Sequence, residues 1–125
     1  MPRRLYLRER ARWAEHLLSL AEPPTALFCA NDRMAIGALL AARRRGRHLP
    51  ADLAVVGFDD IPGAAVVDPP LTTVAQPLAA VATQAVAFIL SRLSGQTGPE
   101  PRRVVLTPTL VVRASCGAIT VPPAA

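Results

Sequence analysis

Short apolar runs that alternate with a helical segment constrain this chain more than any other feature of its sequence. Residues 25–30 (TALFCA) and 53–58 (LAVVGF) are apolar at nearly every position, as expected of strands buried on both faces of a sheet. Between these runs, Asn31 and Asp32 provide a helix start, apolar residues recur at helical spacing, and Gly46 provides a stop. A strand, a helix and a second strand in this order predict a parallel α/β sheet.

The alternation continues toward the C-terminal end of the chain. Residues 71–76 (LTTVAQ) predict a third strand, and Pro77 begins a helix to about residue 93, since proline suits the first helical turn. Two final strands are predicted at residues 103–106 and 109–113. A further helix is predicted over residues 4–20, where apolar residues recur among charges.

Length and composition predict one soluble domain. A chain of 125 residues with 51% hydrophobic residues is long enough to bury a core and is too apolar for a disordered segment. Its apolar stretches are too short for a bilayer span, and the first residues do not have the layout of a signal peptide. We therefore expect a cytoplasmic protein without membrane association, with a flexible tail at residues 117–125.

The net charge of +5 is weak support for a nucleic-acid partner. Every basic residue other than histidine is an arginine, and four of them fall within residues 43–47 at a predicted helix end, where cations offset the helix dipole. Five more arginines, interleaved with glutamates, lie within residues 3–12. These groups fit a solvated surface or a phosphate-binding patch, and no aromatic residues are interleaved for stacking on bases.

Catalytic and metal-binding patterns are not found in the sequence. Cys29 and Cys116 lie far apart, and His16 and His48 are isolated, so no spacing typical of a metal site or a nucleophilic triad is present. We expect no enzyme activity, no cofactor and no metal. The two cysteines are predicted to be buried or half-buried free thiols.

Polar residues follow each of the first three predicted strands. They are Asn31 after the first, Asp59 and Asp60 after the second, and Gln76 after the third. Since ligands of parallel α/β sheets bind beyond the carboxyl ends of the strands, these residues predict a rim that recognises hydroxyls or amides of a small polar molecule. Each has an ordinary alternative: a helix cap for Asn31, a solvated turn acid for Asp59, and a strand-end polar residue for Gln76. Of Asn31 and Asp32, the expected helix cap is Asp32.

Four blocks of the sequence resemble the LacI/GalR family of transcriptional regulators, in the family's order and spacing. They are residues 28–37 (FCANDRMAIG), 49–60 (LPADLAVVGFDD), 69–77 (PPLTTVAQP) and 110–115 (LVVRAS). The resemblance extends over residues 4–116. Any one block is moderate support for the family, and four in register are strong support.

The resemblance implies a fold and a domain assignment. The expected fold class is α/β, a parallel-sheet sandwich forming a partial lobe of the periplasmic-binding-protein-like type I fold. Residues 1–116 would form a partial effector-binding domain, with residues 4–76 and 102–116 in the C-terminal lobe and the helix within residues 77–95 in the N-terminal lobe. Family members bind a small molecule, often a sugar or a nucleobase, between two lobes, and contact DNA through a helix-turn-helix domain that has no counterpart in these residues.

By the same resemblance, individual residues acquire expected roles. Asn31, Asp59 and Gln76 match positions that face the ligand cleft, and Leu78 matches a position that offers an apolar wall. Independently of the resemblance, successive side chains of a strand point to opposite faces, so Asp60 is expected to point away from Asp59 if the strand geometry continues, and to be structural, as a cap on the following turn. A homodimer is expected through residues that match the family's dimer surface, with plain helix core as the alternative for the first of them. These residues are Ile36, Ala64, Ala65, Val66 and Val67.

Two other functions remain open beside an effector-sensing regulator domain. A solute-binding protein of a sugar importer shares the fold, and an inactive gene remnant is the second alternative. The helix at residues 77–93 is apolar around much of its circumference. We expect that it either packs against the chain's own sheet or is covered by a second copy of the chain, and that the chain alone does not recognise a DNA sequence.

Overall fold

The computed structural model describes residues 11–118 and contains, within them, a four-stranded sheet. Its strands are β1 (Ala26–Phe28), β2 (Ala54–Asp59), β3 (Thr72–Ala75) and β4 (Thr109–Val111), in the spatial order β1-β2-β3-β4. β1 pairs with β2 in parallel, and β2 pairs with β3 in parallel. The predicted α/β fold class is confirmed, as a mostly parallel open sheet.

Helices connect these strands. The described part of the first, α1, covers residues 11–17. The others are α2 (Asp32–Arg44), α3 (Pro62–Val66) and α4 (Leu78–Leu93), and a short 3₁₀ helix follows at Ala114–Cys116. The chain divides into two compact units. The first contains the described residues up to Ala75 and from Leu110 onward, and the second is Gln76–Thr109.

Small side chains build the core of the first unit. α2 contributes four fully or almost fully buried alanines and Leu39, which pack with Leu53, Val55 and Leu71 from the sheet region. The small alanine side chains allow the axis of α2 to lie close to the sheet. The little space left between helix and sheet is filled by the few large side chains. The guanidinium of Arg45, just after α2, donates to the backbone oxygens of Leu18 and Glu15 at 3.1 and 3.0 Å, which joins the end of α2 to the end of α1.

The prediction that β1 is buried on both faces is wrong. The Phe28 side chain is 69% exposed, and Ala26 is exposed as well. As alternate residues of a strand, both lie on the same face of the sheet, and the described residues do not cover that face there. β2 is also less buried than its composition suggests. Val55 and Gly57 are buried, while the other four residues of β2 are half-buried.

Other boundaries differ from the sequence prediction. Residues 103–106 form no strand: Val104 and Val105 are exposed, and the chain joins the sheet only at Thr109. A valine pair favours a strand only when a neighbouring strand accepts its hydrogen bonds. The segment between the second and third strands, for which the sequence predicts no helix, contains the short helix α3, because Pro62 is well suited to a first helical turn.

Helix ends shift by a few residues from the predicted limits. α1 ends at residue 17, and the turn that follows it replaces the predicted last turn of the helix. The predictions for residues 4–10, and for the tail at 119–125, lie outside the described residues. α4 begins one residue after the predicted Pro77 and ends at Leu93, as predicted.

No residue of α4 is buried in the described structure. Its large apolar side chains are substantially exposed. These side chains are Leu78, Val81, Val86, Ile89, Leu90 and Leu93. That this helix packs against the chain's own sheet or is covered by a second copy of the chain stays a prediction. Among the described residues, no helix combines the length and hydropathy needed to cross a membrane.

Candidate functional site

Two of the predicted site residues, Asn31 and Asp59, follow neighbouring parallel strands of the first unit. Phe28 lies opposite Val56 in the register, and the amide of Cys29 still donates to the oxygen of Val56 at 2.8 Å. Asn31 comes two residues after Cys29, and Asp59 ends β2. Both residues therefore belong to the carboxyl end of this parallel pair, as the sequence predicted.

Gln76 and Leu78 lie in the second unit. Ala75 pairs with Asp59 at the end of β3, and Gln76 is the next residue along the chain. Gln76 is half-buried, and its backbone oxygen accepts a hydrogen bond from the amide of Leu78 at 2.8 Å. Leu78 is the first residue of α4, and its side chain is 60% exposed.

Asn31 is the N-cap of α2. Its side-chain oxygen accepts a hydrogen bond from the amide of Met34 at 2.9 Å, and its backbone is extended. The expectation that Asp32 is the cap is wrong, because Asp32 is already the first helical residue and its side chain turns into the core. The capping bond involves only the carbonyl oxygen of the Asn31 amide, which also carries an NH₂ donor.

Asp32 is the residue that sequence reasoning missed. It is fully buried, and its carboxylate accepts hydrogen bonds from the Thr73 hydroxyl at 2.5 Å and from the amide of Ile61 at 2.8 Å. Gly57 provides the space, since a Cβ at that position would lie 2.2 Å from Asp32 Oδ1. A buried carboxylate thus connects the start of α2 to β3 and to the loop after β2. Two threonines in an otherwise apolar strand were the available sign that a buried polar group lies beside them.

The backbone reverses its handedness at the end of β2. Asp59 has φ 116° and Asp60 has φ 56°, two consecutive residues other than glycine in the left-handed region. Such residues cost about 1–3 kcal/mol each and persist where the surroundings enforce them, often at functional sites. The strand geometry ends at this corner, so the alternation of strand side chains does not extend from Asp59 to Asp60.

Asp60 pairs with Arg113 rather than capping a turn. Its Oδ1 lies 2.8 Å from Arg113 Nη2, an ion pair outside regular hydrogen-bond geometry, and both side chains are mostly buried. Arg113 Nη1 also donates to the backbone oxygen of Leu71 at 2.9 Å. The last block of the sequence therefore supports the loop that carries Asp59.

Ser115 binds the amino-terminal parts of β2 and β3 together. Its fully buried hydroxyl donates to the oxygen of Val55 at 2.6 Å and accepts from the amide of Thr72 at 2.8 Å. The Thr72 hydroxyl in turn contacts the backbone nitrogen and oxygen of Arg113, at 2.8 and 3.0 Å. These contacts fix residues 113–115 to the sheet.

The predicted dimer residues differ in exposure. Ala64 is fully buried in the core of its own unit, so its expected place on a contact surface is wrong. Ile36 and Val67 are half-buried and pack against that core, whereas Ala65 is exposed and Val66 is 83% exposed. The dimer itself stays a prediction, with Val66 as its most accessible apolar side chain.

The cysteines are half-buried free thiols, as predicted. Burial raises the pKa of Cys29 to about 11, which favours the neutral thiol. Within residues 11–118, no three His, Cys, Asp or Glu side chains group in a way that could hold a metal ion.

The second unit carries a groove of about 330 Å³ beside α4. It is lined by Phe88, Ile89, Arg92, Pro101 and Arg102, and the guanidinium carbon of Arg102 lies 4.1 Å from the centre of the Phe88 ring. None of the predicted site residues lines this groove.

Comparison with known proteins gives a consistent set of relatives. A family model described as a periplasmic binding protein-like domain matches residues 2–116. The chain is 53% identical over 91 residues to an HTH-type transcriptional regulator in the aml 5' region of Streptomyces limosus, covering 73% of this chain and 26% of that protein. It is 46% identical over 82 residues to the HTH-type transcriptional repressor CytR of Escherichia coli K12, covering 66% of this chain and 24% of that protein.

Solved structures agree with these relatives. A complex of the transcriptional regulator CelR with cellobiose matches with a TM-score of 0.82 and 37% identity, over 87% of this chain and 33% of that one. A LacI family regulator from Arthrobacter sp. FB24, in complex with lactose, matches with a TM-score of 0.79 and 33% identity, over 88% of this chain and 41% of that one. The chain spans about a quarter of the length of these curated relatives.

Proposed function

This chain belongs to the periplasmic-binding-protein-like domains of LacI-type transcriptional regulators, and we propose that it senses the small-molecule effector of such a regulator. In this proposal the first unit is part of the C-terminal lobe, and α4 belongs to the N-terminal lobe. The division of the chain at Gln76 and after Thr109 supports that assignment. DNA recognition and the rest of the cleft are assigned to parts of the regulator outside these residues.

One observation carries the proposal: Asp59 is held in a left-handed corner at the carboxyl end of a parallel strand, beside the strand that leads to Asn31. A carboxylate there can accept hydrogen bonds from two hydroxyls, and hydrogen bonds to charged groups are stronger than neutral ones. Gln76 and Leu78 would complete the same cleft. This set of groups suits a sugar or a nucleoside, and the neighbours bound to cellobiose and lactose favour a sugar.

The regulator would act as a homodimer in the cytoplasm, with Ile36, Ala65, Val66 and Val67 at or near the dimer contact. Effector binding at one site would alter DNA affinity at another, which is an allosteric coupling between two global states. The named relatives are regulators, which favours this function over that of an importer's solute-binding protein.

An NMR titration tests the effector site directly. Cellobiose, lactose and adenosine are added to the ¹⁵N-labelled chain up to tens of millimolar, since part of a cleft is expected to bind with a Kd of about 1 mM or weaker. We expect a saturable shift of the amides near Asn31 and Asp59 with at least one sugar. Asp59→Asn keeps the shape of the side chain and should abolish the response.

Glu22→Gln is the matched control, because it removes an exposed carboxylate in the segment between α1 and β1. This variant should bind as the wild type does. Absence of a saturable response to all three probes, or an unchanged response in Asp59→Asn, would contradict the proposed site.

A further inference from the structure

We propose that Arg113 is a positioning residue for the effector-binding carboxylate: it holds the left-handed corner at Asp59 and Asp60 from the side of the C-terminal segment. The inference rests on the proposed function for the role of Asp59. The contacts that hold the corner are independent of any ligand.

The corner requires an external restraint. Residues with a Cβ rarely adopt positive φ, and two in succession are unfavourable unless the surroundings enforce them. Before the corner, the backbone is fixed by the pairing of Asp59 with Ala75. After it, the amide of Ile61 donates to the buried carboxylate of Asp32 at 2.8 Å. Between these two anchors, the ion pair with Arg113 restrains Asp60.

Arg113 is suited to this task because its own position is fixed by the sheet. Its backbone amide donates to the Thr72 hydroxyl at 2.8 Å, and its Nη1 donates to the oxygen of Leu71 at 2.9 Å. The guanidinium then places Nη2 2.8 Å from Asp60 Oδ1. The side chains are 20% and 26% exposed, so water screens this ion pair less than it would a surface pair.

Arg113 contacts Asp60 and is not proposed to contact the ligand, so its role is to position Asp59. Loss of the guanidinium would release the side chain of Asp60 and allow both residues to return to negative φ. The backbone that carries Asp59 would then change its direction, and ligand binding would weaken without loss of any group that contacts the ligand.

The test measures the corner by itself first. Three-bond couplings between the amide and α protons, together with residual dipolar couplings, report φ at Asp59 and Asp60 in the full chain. In Arg113→Met we expect both residues to lose the left-handed values, while the remaining amides keep their shifts. Arg113→Lys retains the charge and should keep the corner in part. The control Arg12→Met removes an exposed arginine of α1 and should change nothing.

A double-mutant cycle in cellobiose affinity gives the second readout. We expect Arg113→Met and Asp60→Asn each to weaken binding at least tenfold, and the double variant to be no weaker than either alone, since both break the same contact. Asparagine tolerates positive φ, so Asp60→Asn tests the ion pair without a new backbone preference, and it serves if Arg113→Met does not fold.

Left-handed couplings that persist in Arg113→Met, or in Asp60→Asn if the first variant does not fold, would overturn the proposal, as would additive losses in the cycle. If wild-type protein binds none of the probes, the proposed function fails, and the corner couplings still decide whether Arg113 holds the loop.

Discussion

Replacement of Gly57 by alanine tests how closely the sheet fits the buried carboxylate of Asp32. Gly57 is not among the glycines with positive φ, so its backbone suits alanine, and the smaller entropy of the unfolded chain would favour the variant by about 0.4–1 kcal/mol. The new Cβ, however, would lie 2.2 Å from Asp32 Oδ1 and 3.0 Å from Leu71 Cδ2. The steric clash therefore decides whether Gly57→Ala raises or lowers the free energy of unfolding.

The size of this destabilisation follows from the contacts that the Asp32 side chain would lose when the new Cβ displaces it. Asp32 can retreat only by breaking its bonds to Thr73 and Ile61, and a hydrogen bond to a charged group contributes about 1.5–3 kcal/mol. Overpacking of a core adds about 1–3 kcal/mol. With both bonds lost and the entropy gain subtracted, the free energy of unfolding should fall by roughly 3–9 kcal/mol. For a chain of this size that lowers the Tm by roughly 10 °C or more.

Urea unfolding followed by circular dichroism measures the change. Gly63→Ala is the matched control, because the nearest atoms to its Cβ are at 3.5–3.9 Å and alanine favours the helix α3, so we expect a neutral or stabilising effect. In an Asp32→Ala background, Gly57→Ala should cost far less than in the wild type. Equal stability of Gly57→Ala and wild type would refute the reasoning.

Three further predictions concern the same unit. Ser115→Ala leaves the Val55 oxygen and the Thr72 amide without their buried partner, and should reduce the free energy of unfolding in urea by about 2–4 kcal/mol, whereas the exposed Ser94→Ala should have little effect. Asn31→Ala should lose about 0.5–2 kcal/mol of stability with the N-cap of α2, and Asn31→Asp should retain it; equal losses in both variants would argue against the cap. Burial raises the pKa of Cys29 above its ordinary value of 9.0 to about 11, so the folded state holds the thiol proton more tightly than the unfolded state. The contribution of the neutral thiol to the free energy of unfolding is therefore fully present below pH 9 and is lost as the pH rises through 11. Stability should therefore fall over that range in the wild type and less in Cys29→Ala; parallel curves would contradict this.

The sequence was sufficient for the elements whose patterns are local. The helix start at Asn31, the proline before α4 and the polar residues after each strand depend on neighbours in the chain, and the structure places them close to the predicted limits. Burial was predicted less well. The apolar run of β1 predicts burial on both faces, but Phe28 is exposed because burial depends on which element packs on that face, and the run does not contain that information.

The support of the site was not predictable from these patterns. Asp32 resembles a helix cap in sequence, and only its contact with Gly57, Thr73 and Ile61 shows that it is a buried connector. The corner at Asp59 and Asp60 is likewise invisible in a pattern that predicts a continuing strand. Contacts of this kind join residues distant in the chain, whereas periodicity and capping rules describe neighbours.

The hydrogen bonds of Ser115 to β2 and β3 affect how this unit folds during its synthesis in the cell. Residues 76–109 are synthesised after β3 and before the segment that carries Ser115. When β2 and β3 have left the ribosome, Ser115 has therefore not yet been added, and its hydrogen bonds to Val55 and Thr72 cannot form. Until that segment emerges, the amide of Thr72 and the oxygen of Val55 have to bind water at the surface of an unfinished domain. Premature termination within residues 76–109 would thus yield a product that lacks β4 and the hydrogen bonds of Ser115. We expect such a product to be degraded by proteases.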